Sequence, residues 1–264
     1  MKNKKLFNKI ILFSLPIILI YGILFIRATQ VLPQGAINLL PQIENPKEKE
    51  KIIIFSPHPD DETISCGGFI QRAIENKSNV YIVLITDGNR RHKKIVRYNE
   101  FKNATSHFGI KEENLIFLNY PDGKLFKYKN ELYEDFYEII KNYNPDIVFI
   151  PIIYDNHKDH KISGEILREV LSNFENIKVY QYLVHHDYFP QPLKYDPNLY
   201  ILPPLRTLNF HSKWYSFTLT EKELEIKKEA IFMYKSQLIK IPLKEMLLSF
   251  IRKNEIFYVD NQKD

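Results

Sequence analysis

The sequence predicts an α/β fold: a Rossmann-like, mostly parallel sheet with helices on both faces, preceded by one N-terminal transmembrane helix. Three observations lead there. From Lys51 onward, short apolar runs alternate with stretches of helical periodicity. The polar residues able to do chemistry follow directly after two of those runs. The first 27 residues differ in kind from everything after them.

That first segment, MKNKKLFNK, carries Lys2, Lys4, Lys5 and Lys9 without an acid, and Ile10 to Ile26 then runs uncharged. As a helix rising about 1.5 Å per residue, this run spans roughly 25 Å, just enough for a thin hydrocarbon core. RATQVLPQGA follows it and offers no small-x-small cleavage site, so an uncleaved anchor is expected rather than a signal peptide. The lysines place the N-terminus in the cytoplasm and the rest of the chain on the extracytoplasmic side of a cell membrane. They also account, with Arg27, for the net charge of +5, and the remainder is balanced. No overall basic excess points to a nucleic-acid partner.

Residues 28–50 mix Pro, Gly and charge without sustained periodicity and read as a linker; 51–264 read as one catalytic domain. KIIIFS is a continuous apolar run suited to a strand buried on both faces. TISCGGFIQRAIENK follows with helical spacing of Ile64, Phe69, Ile70 and Ile74. NVYIVLIT is a second strand, and HKKIVRYNEFKNATSHFG a second helix stopped by Gly109. NLIFL, LYEDFYEIIKNY, DIVFIPII, HKISGEILREVLSNF and KVYQYL continue the alternation. From about residue 188 to Phe217 a Pro- and aromatic-rich stretch reads as irregular or short-stranded. Thr220 and Glu223 then form a capping box for a helix, and IRKNEIFYVD closes the chain as a late strand. Cys66 is the only cysteine and is expected as a small buried residue.

In open parallel sheets, ligands sit beyond the carboxyl ends of the strands. SPHPDDE falls at such an end, with His58, Asp60 and Asp61 inside four residues. A His and a carboxylate three positions on can converge on a metal at a strand-to-helix turn. The second carboxylate is then free to act as a general base. Either aspartate could instead cap the following helix. His157 and His160, with Asp159 between them, follow another apolar strand. Three ligands with an open position is the arrangement of a catalytic zinc, and a two-His, one-carboxylate set also accepts ferrous iron.

PHPDDE followed at a distance by HKDH resembles the PIG-L / LmbE-like N-acetylglucosaminyl deacetylases. ITDG at 85–88, the Arg97–Glu100–Ala104–Gly109 spacing and YPDGKL at 120–125 add to the likeness. It covers roughly residues 51 to 185. The resemblance implies zinc-dependent removal of acetyl from an N-acetylglucosamine (GlcNAc) unit. It assigns His58, Asp61 and His160 as metal ligands and Asp60 as general base. His157 becomes the oxyanion stabiliser or proton donor, and Asp159 orients a histidine. Arg97 and Asp122 fall where the family contacts the sugar, although Arg97 alone reads equally well as a surface helix charge. Some relatives have an aromatic residue just before the first histidine of the late pair, where this chain has Asp155 and Asn156 after Tyr154. His185 and His186 are unassigned: they could line the rim of the site, and satisfied polar residues is the preferred reading.

The expected substrate is a GlcNAc-containing glycan or glycolipid of the cell envelope. A small GlcNAc conjugate of the thiol-precursor type is the enzymatic alternative, and an inactive glycan-binding membrane protein the non-enzymatic one. The aromatic stretch 188–217 reads as a sugar-stacking rim or as core.

Overall fold

The computed structural model describes residues 14–22, 32–89, 92–187, 189–208, 212–239 and 241–260. Strands β1 (Lys51–Ser56), β2 (Asn79–Thr86), β3 (Leu115–Tyr120), β4 (Ile147–Pro151), β5 (Lys178–Tyr182), β6 (Ser212–Thr218) and β7 (Asn254–Asp260) form a seven-stranded sheet in the order β3-β2-β1-β4-β5-β7-β6. β1 pairs in parallel with both β2 and β4, which in turn pair in parallel with β3 and β5. β7 runs antiparallel to β5 and to β6.

The helices are α1 (residues 14–22), α2 (Asp61–Glu75), α3 (Lys94–His107), α4 (Lys129–Tyr143), α5 (Lys158–Leu171), α6 (Glu221–Met233) and α7 (Leu243–Ser249). Alternation along β1 sends Ile52 and Ile54 to one face, and Ile53 and Phe55 to the other. The first pair joins a core with Phe69 of α2, Phe101 of α3 and Ile231 of α6. The second joins Leu132 and Phe136 of α4 and Leu167 of α5. All four side chains are fully buried, which explains the unbroken apolar run. The α6 capping box forms as the sequence expects, and Cys66 is buried.

The N-terminal transmembrane helix in the predicted fold is corrected here. Among the described residues, no helix is long and apolar enough to cross a membrane. Residues 14–22, the described part of the expected span, are helical. Residues 10–13 and 23–26 of the expected span lie outside the described residues.

The second half of the stretch read as a linker is laid against the domain. Gln42 bridges in parallel to Ser216 of β6, the Ile43 N–H donates to the Ser216 carbonyl at 3.0 Å, and the Ser216 N–H donates to Pro41 O at 2.8 Å. Gln42 also accepts from Thr218, so the outer side of edge strand β6 is partly covered.

β1 and β4 are adjacent although β2 and β3 intervene in sequence, so the strand order switches between them. The loops after these two strands carry the chemically loaded motifs, at the place where such folds open a crevice. Gly164 of α5 lets that helix approach the end of β4: a Cβ there would lie 2.3 Å from Pro151 O. Gly164→Ala is expected to destabilise the fold by about 1–3 kcal/mol through overpacking, read as a lower urea midpoint at unchanged slope. An unchanged midpoint would show that α5 can move away without cost.

Candidate metal centre

β1 ends in Ser56, and the chain turns through Pro57, His58, Pro59 and Asp60 into α2. Asp60 stands at φ 132° and ψ −27°, a strained backbone position for a residue other than glycine. Buried Glu62 holds the turn. Its carboxylate accepts from Ser56 Oγ (2.8 Å), the Asp60 N–H (3.3 Å), Thr63 Oγ1 (2.7 Å) and Tyr234 Oη (2.5 Å). Arg97 closes the other side by donating to Pro59 O at 2.9 Å. Gly88, at φ 56°, leaves room for Pro59, whose Cγ would lie 2.9 Å from a Cβ there.

Three donor atoms converge within this frame. His58 Nδ1 lies 3.3 Å from Asp61 Oδ2, and His160 Nε2 lies 3.0 Å from the same oxygen. The two ring nitrogens are 3.2 Å apart. Bonds of about 2.0–2.2 Å to a tetrahedral ion place neighbouring ligand atoms roughly 3.3–3.5 Å apart, so the triangle has the size of one face of such a site. The residues therefore fit a divalent ion, through two imidazoles and one carboxylate.

The far nitrogen of each ring meets carboxylate. His58 Nε2 lies 3.2 Å from Asp159 Oδ2 and 3.4 Å from Asp122 Oδ1, and His160 Nδ1 lies 3.1 Å from Asp155 Oδ2. Backbone amides hold these carboxylates in turn. Asp159 accepts from Gly123 and Leu125, and Asp155 from His157, Val184 and His185. Such partners fix ring orientation and raise ligand basicity.

Burial opposes the ionised form of Asp61, but His160 and His58 outweigh it and hold its carboxyl well below the usual range. Asp155 and Asp159 are lowered in the same way, against burial, by His160 and His58 respectively. Burial alone would lower His160; Asp155 and Asp61 prevail and push it up to about 9. His58 is raised well above its ordinary value because Asp122, Asp159 and Asp61 overcome its burial. A proton and a divalent ion compete for these same lone pairs.

Asp60 differs. Burial pushes its carboxyl up to about 7, although Arg97 pulls the other way from 3.3 Å. The Arg97 guanidinium also reaches Asp122 Oδ2 at 3.5 Å, so it is a buried bridge and not a surface charge. His157 caps α5, its Nδ1 accepting the Asp159 N–H at 3.3 Å. That bond puts the ring proton on Nε2. Burial holds His157 down at about 4, so near neutrality the ring is a neutral donor.

All eight residues singled out in the sequence thus meet at one mouth: His58, Asp60, Asp61, Arg97, Asp122, His157, Asp159 and His160. Asp155 and His185 were not assigned there. The His185 ring lies 4.9 Å from that of His160 and 5.2 Å from that of His157, which places it at the rim rather than apart from the site. The signal existed, because His185 lies three residues past the end of β5, beyond the carboxyl end of a strand like the two flagged clusters. Tyr154 packs edge-on against Tyr258 at 5.9 Å, and the residue after it, Asp155, turns inward.

Residues 53–171 match the model of the PIG-L family, GlcNAc-PI de-N-acetylase. Residues 53–171 carry a PIG-L family domain. Over 201 residues it is 28% identical to a probable N-acetyl-alpha-D-glucosaminyl L-malate deacetylase 2 of Bacillus anthracis, covering 68% of this chain and 88% of that protein. Over 135 residues it is 27% identical to diacetylchitobiose deacetylase of Thermococcus kodakarensis, covering 47% and 49%. The chain spans no more than about half the length of two of the curated relatives it matches. The structure of N,N'-diacetylchitobiose deacetylase from Pyrococcus horikoshii superposes with a TM-score of 0.59 over 80% of this chain and 84% of that one, at 23% identity, a likeness of fold.

In equilibrium dialysis with elemental analysis, the PIG-L domain is expected to bind about one zinc per chain, and His160→Ala to abolish it. Asp155→Asn should weaken affinity about 10–100-fold with the circular dichroism spectrum retained. Full affinity in that variant would remove Asp155 from the support of His160.

Proposed function

We propose that this PIG-L domain is a zinc-dependent N-deacetylase that hydrolyses the acetamide of a GlcNAc-containing glycan or glycolipid. The observation that carries the reading is the triangle of His58 Nδ1, Asp61 Oδ2 and His160 Nε2 with the Asp60 carboxyl beside it. Three ligands and a spare buried carboxylate suit hydrolysis of an unreactive bond such as an amide.

His58, Asp61 and His160 would hold the ion, which supplies Lewis-acid activation of water and of the amide carbonyl. Asp60 takes the proton as the water oxygen bonds to the carbonyl carbon. Arg97 keeps the Asp60 carboxyl oriented and links it to Asp122. His157, neutral with its proton on Nε2, donates a hydrogen bond to the negative charge that develops on the carbonyl oxygen. The C–N bond then breaks, Asp60 returns its proton to the departing nitrogen, and acetate and a free amine result.

A small GlcNAc conjugate is the second reading. It is favoured by the breadth of the likeness to the GlcNAc-malate deacetylase, which exceeds that to the chitobiose enzyme.

Acetate release is to be measured from diacetylchitobiose, a GlcNAc-malate conjugate and a lipid-linked GlcNAc, with and without chelator. Turnover should vanish on metal removal and return on zinc addition. Asp60→Ala should lower kcat about 10²–10⁴-fold while zinc content stays near one per chain. Zinc-loaded protein with no release from any of the three substrates would defeat the deacetylase reading.

A further inference from the structure

α3 has two sides of different character. Arg97 points inward to Asp60, while its neighbours Ile95 and Val96 are 77% and 50% exposed. The turn after α6 lies against the same part of α3. Lys93 Nζ reaches Ser236 O at 3.4 Å, and the Ser236 N–H and Oγ both donate to Glu100 at 2.7 Å. That turn presents Ile239 and Ile241, 72% and 74% exposed, within three to five residues of Ser236, a reach of roughly 10–17 Å even for a fully extended chain. Phe232, 44% exposed, stands at the end of α6 leading into it. Large aliphatic side chains gathered this closely in water mark a contact surface.

Residues 88–99 and 230–244 contain no Asp or Glu. Within these two stretches the charge has one sign, with Asp87, Glu100, Glu229 and Glu245 next to their ends. Besides the buried Arg97, their described residues contain Lys93, Lys94, Lys235 and Lys244. Lys235 and Lys244 are exposed; Lys93 and Lys94 are half-buried, with Lys94 Nζ 5.4 Å from the Tyr98 ring centroid. A soluble polyanion would satisfy the cations and leave three isoleucines in water. An apolar protein groove would do the reverse. An anionic bilayer surface satisfies both, with headgroups taking the lysines and the acyl boundary taking the isoleucines.

We infer that this face, built from the start of α3 and the turn after α6, rests on an anionic lipid surface and turns the mouth of the site toward it. The contact is separate from residues 10–26, and it stands whether or not the domain hydrolyses an N-acetyl group. Ile95, Ile239 and Ile241 dip into the interface, and Lys94 and Lys235 pair with headgroups.

The test uses the full chain with Cys66→Ala and one new cysteine carrying an environment-sensitive fluorophore, at Ile95, Ile241 or Glu113. Glu113 is exposed and precedes β3, at the end of the sheet away from the mouth. With phosphatidylglycerol-containing vesicles, the labels at 95 and 241 should shift to the blue and be quenched by a lipid-borne quencher, while the label at 113 stays aqueous. Lys94→Glu with Lys235→Glu should return the first two to aqueous emission. Three outcomes overturn the inference: aqueous emission at 95 and 241, equal shifts at all three positions, or the same shifts on purely zwitterionic vesicles. A blue shift at 95 and 241 without vesicles, rising with protein concentration, also overturns it and assigns the face to a second copy of the chain.

Discussion

Three lone pairs held 3.0–3.3 Å apart in a buried space repel one another unless a cation shares them. Much of the architecture around His58, Asp61 and His160 serves to maintain that arrangement. His58 comes from the turn after β1 and His160 from the first turn of α5, which follows β4, and those two strands are far apart in sequence but adjacent in the sheet. Each ring is pinned from behind by carboxylate that is itself anchored to backbone N–H groups. The rings are held by carboxylates that bond in turn to main-chain N–H groups of the loops beyond β3, β4 and β5, so their positions depend on how those loops leave the sheet.

The strained Asp60 conformation belongs to the same economy of placement. A carboxylate next to a ligand in sequence points away from the ligand's target unless the backbone bends sharply, and φ 132° supplies the bend. The strain is held by Glu62, which draws Ser56, Thr63 and Tyr234 onto one buried carboxylate. Tyr234 follows α6, so a residue more than 170 positions away in sequence steadies the first turn of the site. Lys227 of α6 and Glu255 of β7 pair at 2.7 Å in the core, and Glu255 also accepts the amides of Gly68 and Phe69 in α2. The C-terminal third thus braces the helix that carries Asp61.

Much of this was legible in the sequence, for physical reasons. β1 and β4 are buried on both faces, so they appear as unbroken apolar runs. The chemistry begins where those runs stop, which is why His58 and His160 could be found together. Asp155 escaped because its role depends on a contact with His160 across the β4–α5 loop, and an aspartate in a polar loop has no periodicity to betray it. His185 escaped because no second ligand-type residue stands three positions from it, the spacing that marked His58 with Asp61 and His157 with His160. The antiparallel β6–β7 edge was obscured by the Pro-rich stretch before it. Arg97 looked like a helix surface charge because α3 is weakly amphipathic in sequence, although Arg97 heads its buried stripe with Glu100, Phe101 and Ala104.

The apolar run at residues 10–26 shows the limit of composition as an argument. Length and hydropathy license a span, but among the described residues no helix is long and apolar enough to cross a membrane. Further along, Gln34 exchanges hydrogen bonds with the backbone of Tyr200, Pro41, Gln42 and Ile43 pair with β6, and Ile43 joins the core. Backbone pairing fixed the chain where hydropathy had no pattern to offer, because an edge strand accepts a neighbour through N–H and C=O groups that every residue except proline carries. The same rule explains why this part of the fold is invisible to side-chain periodicity and must be read from the sheet itself.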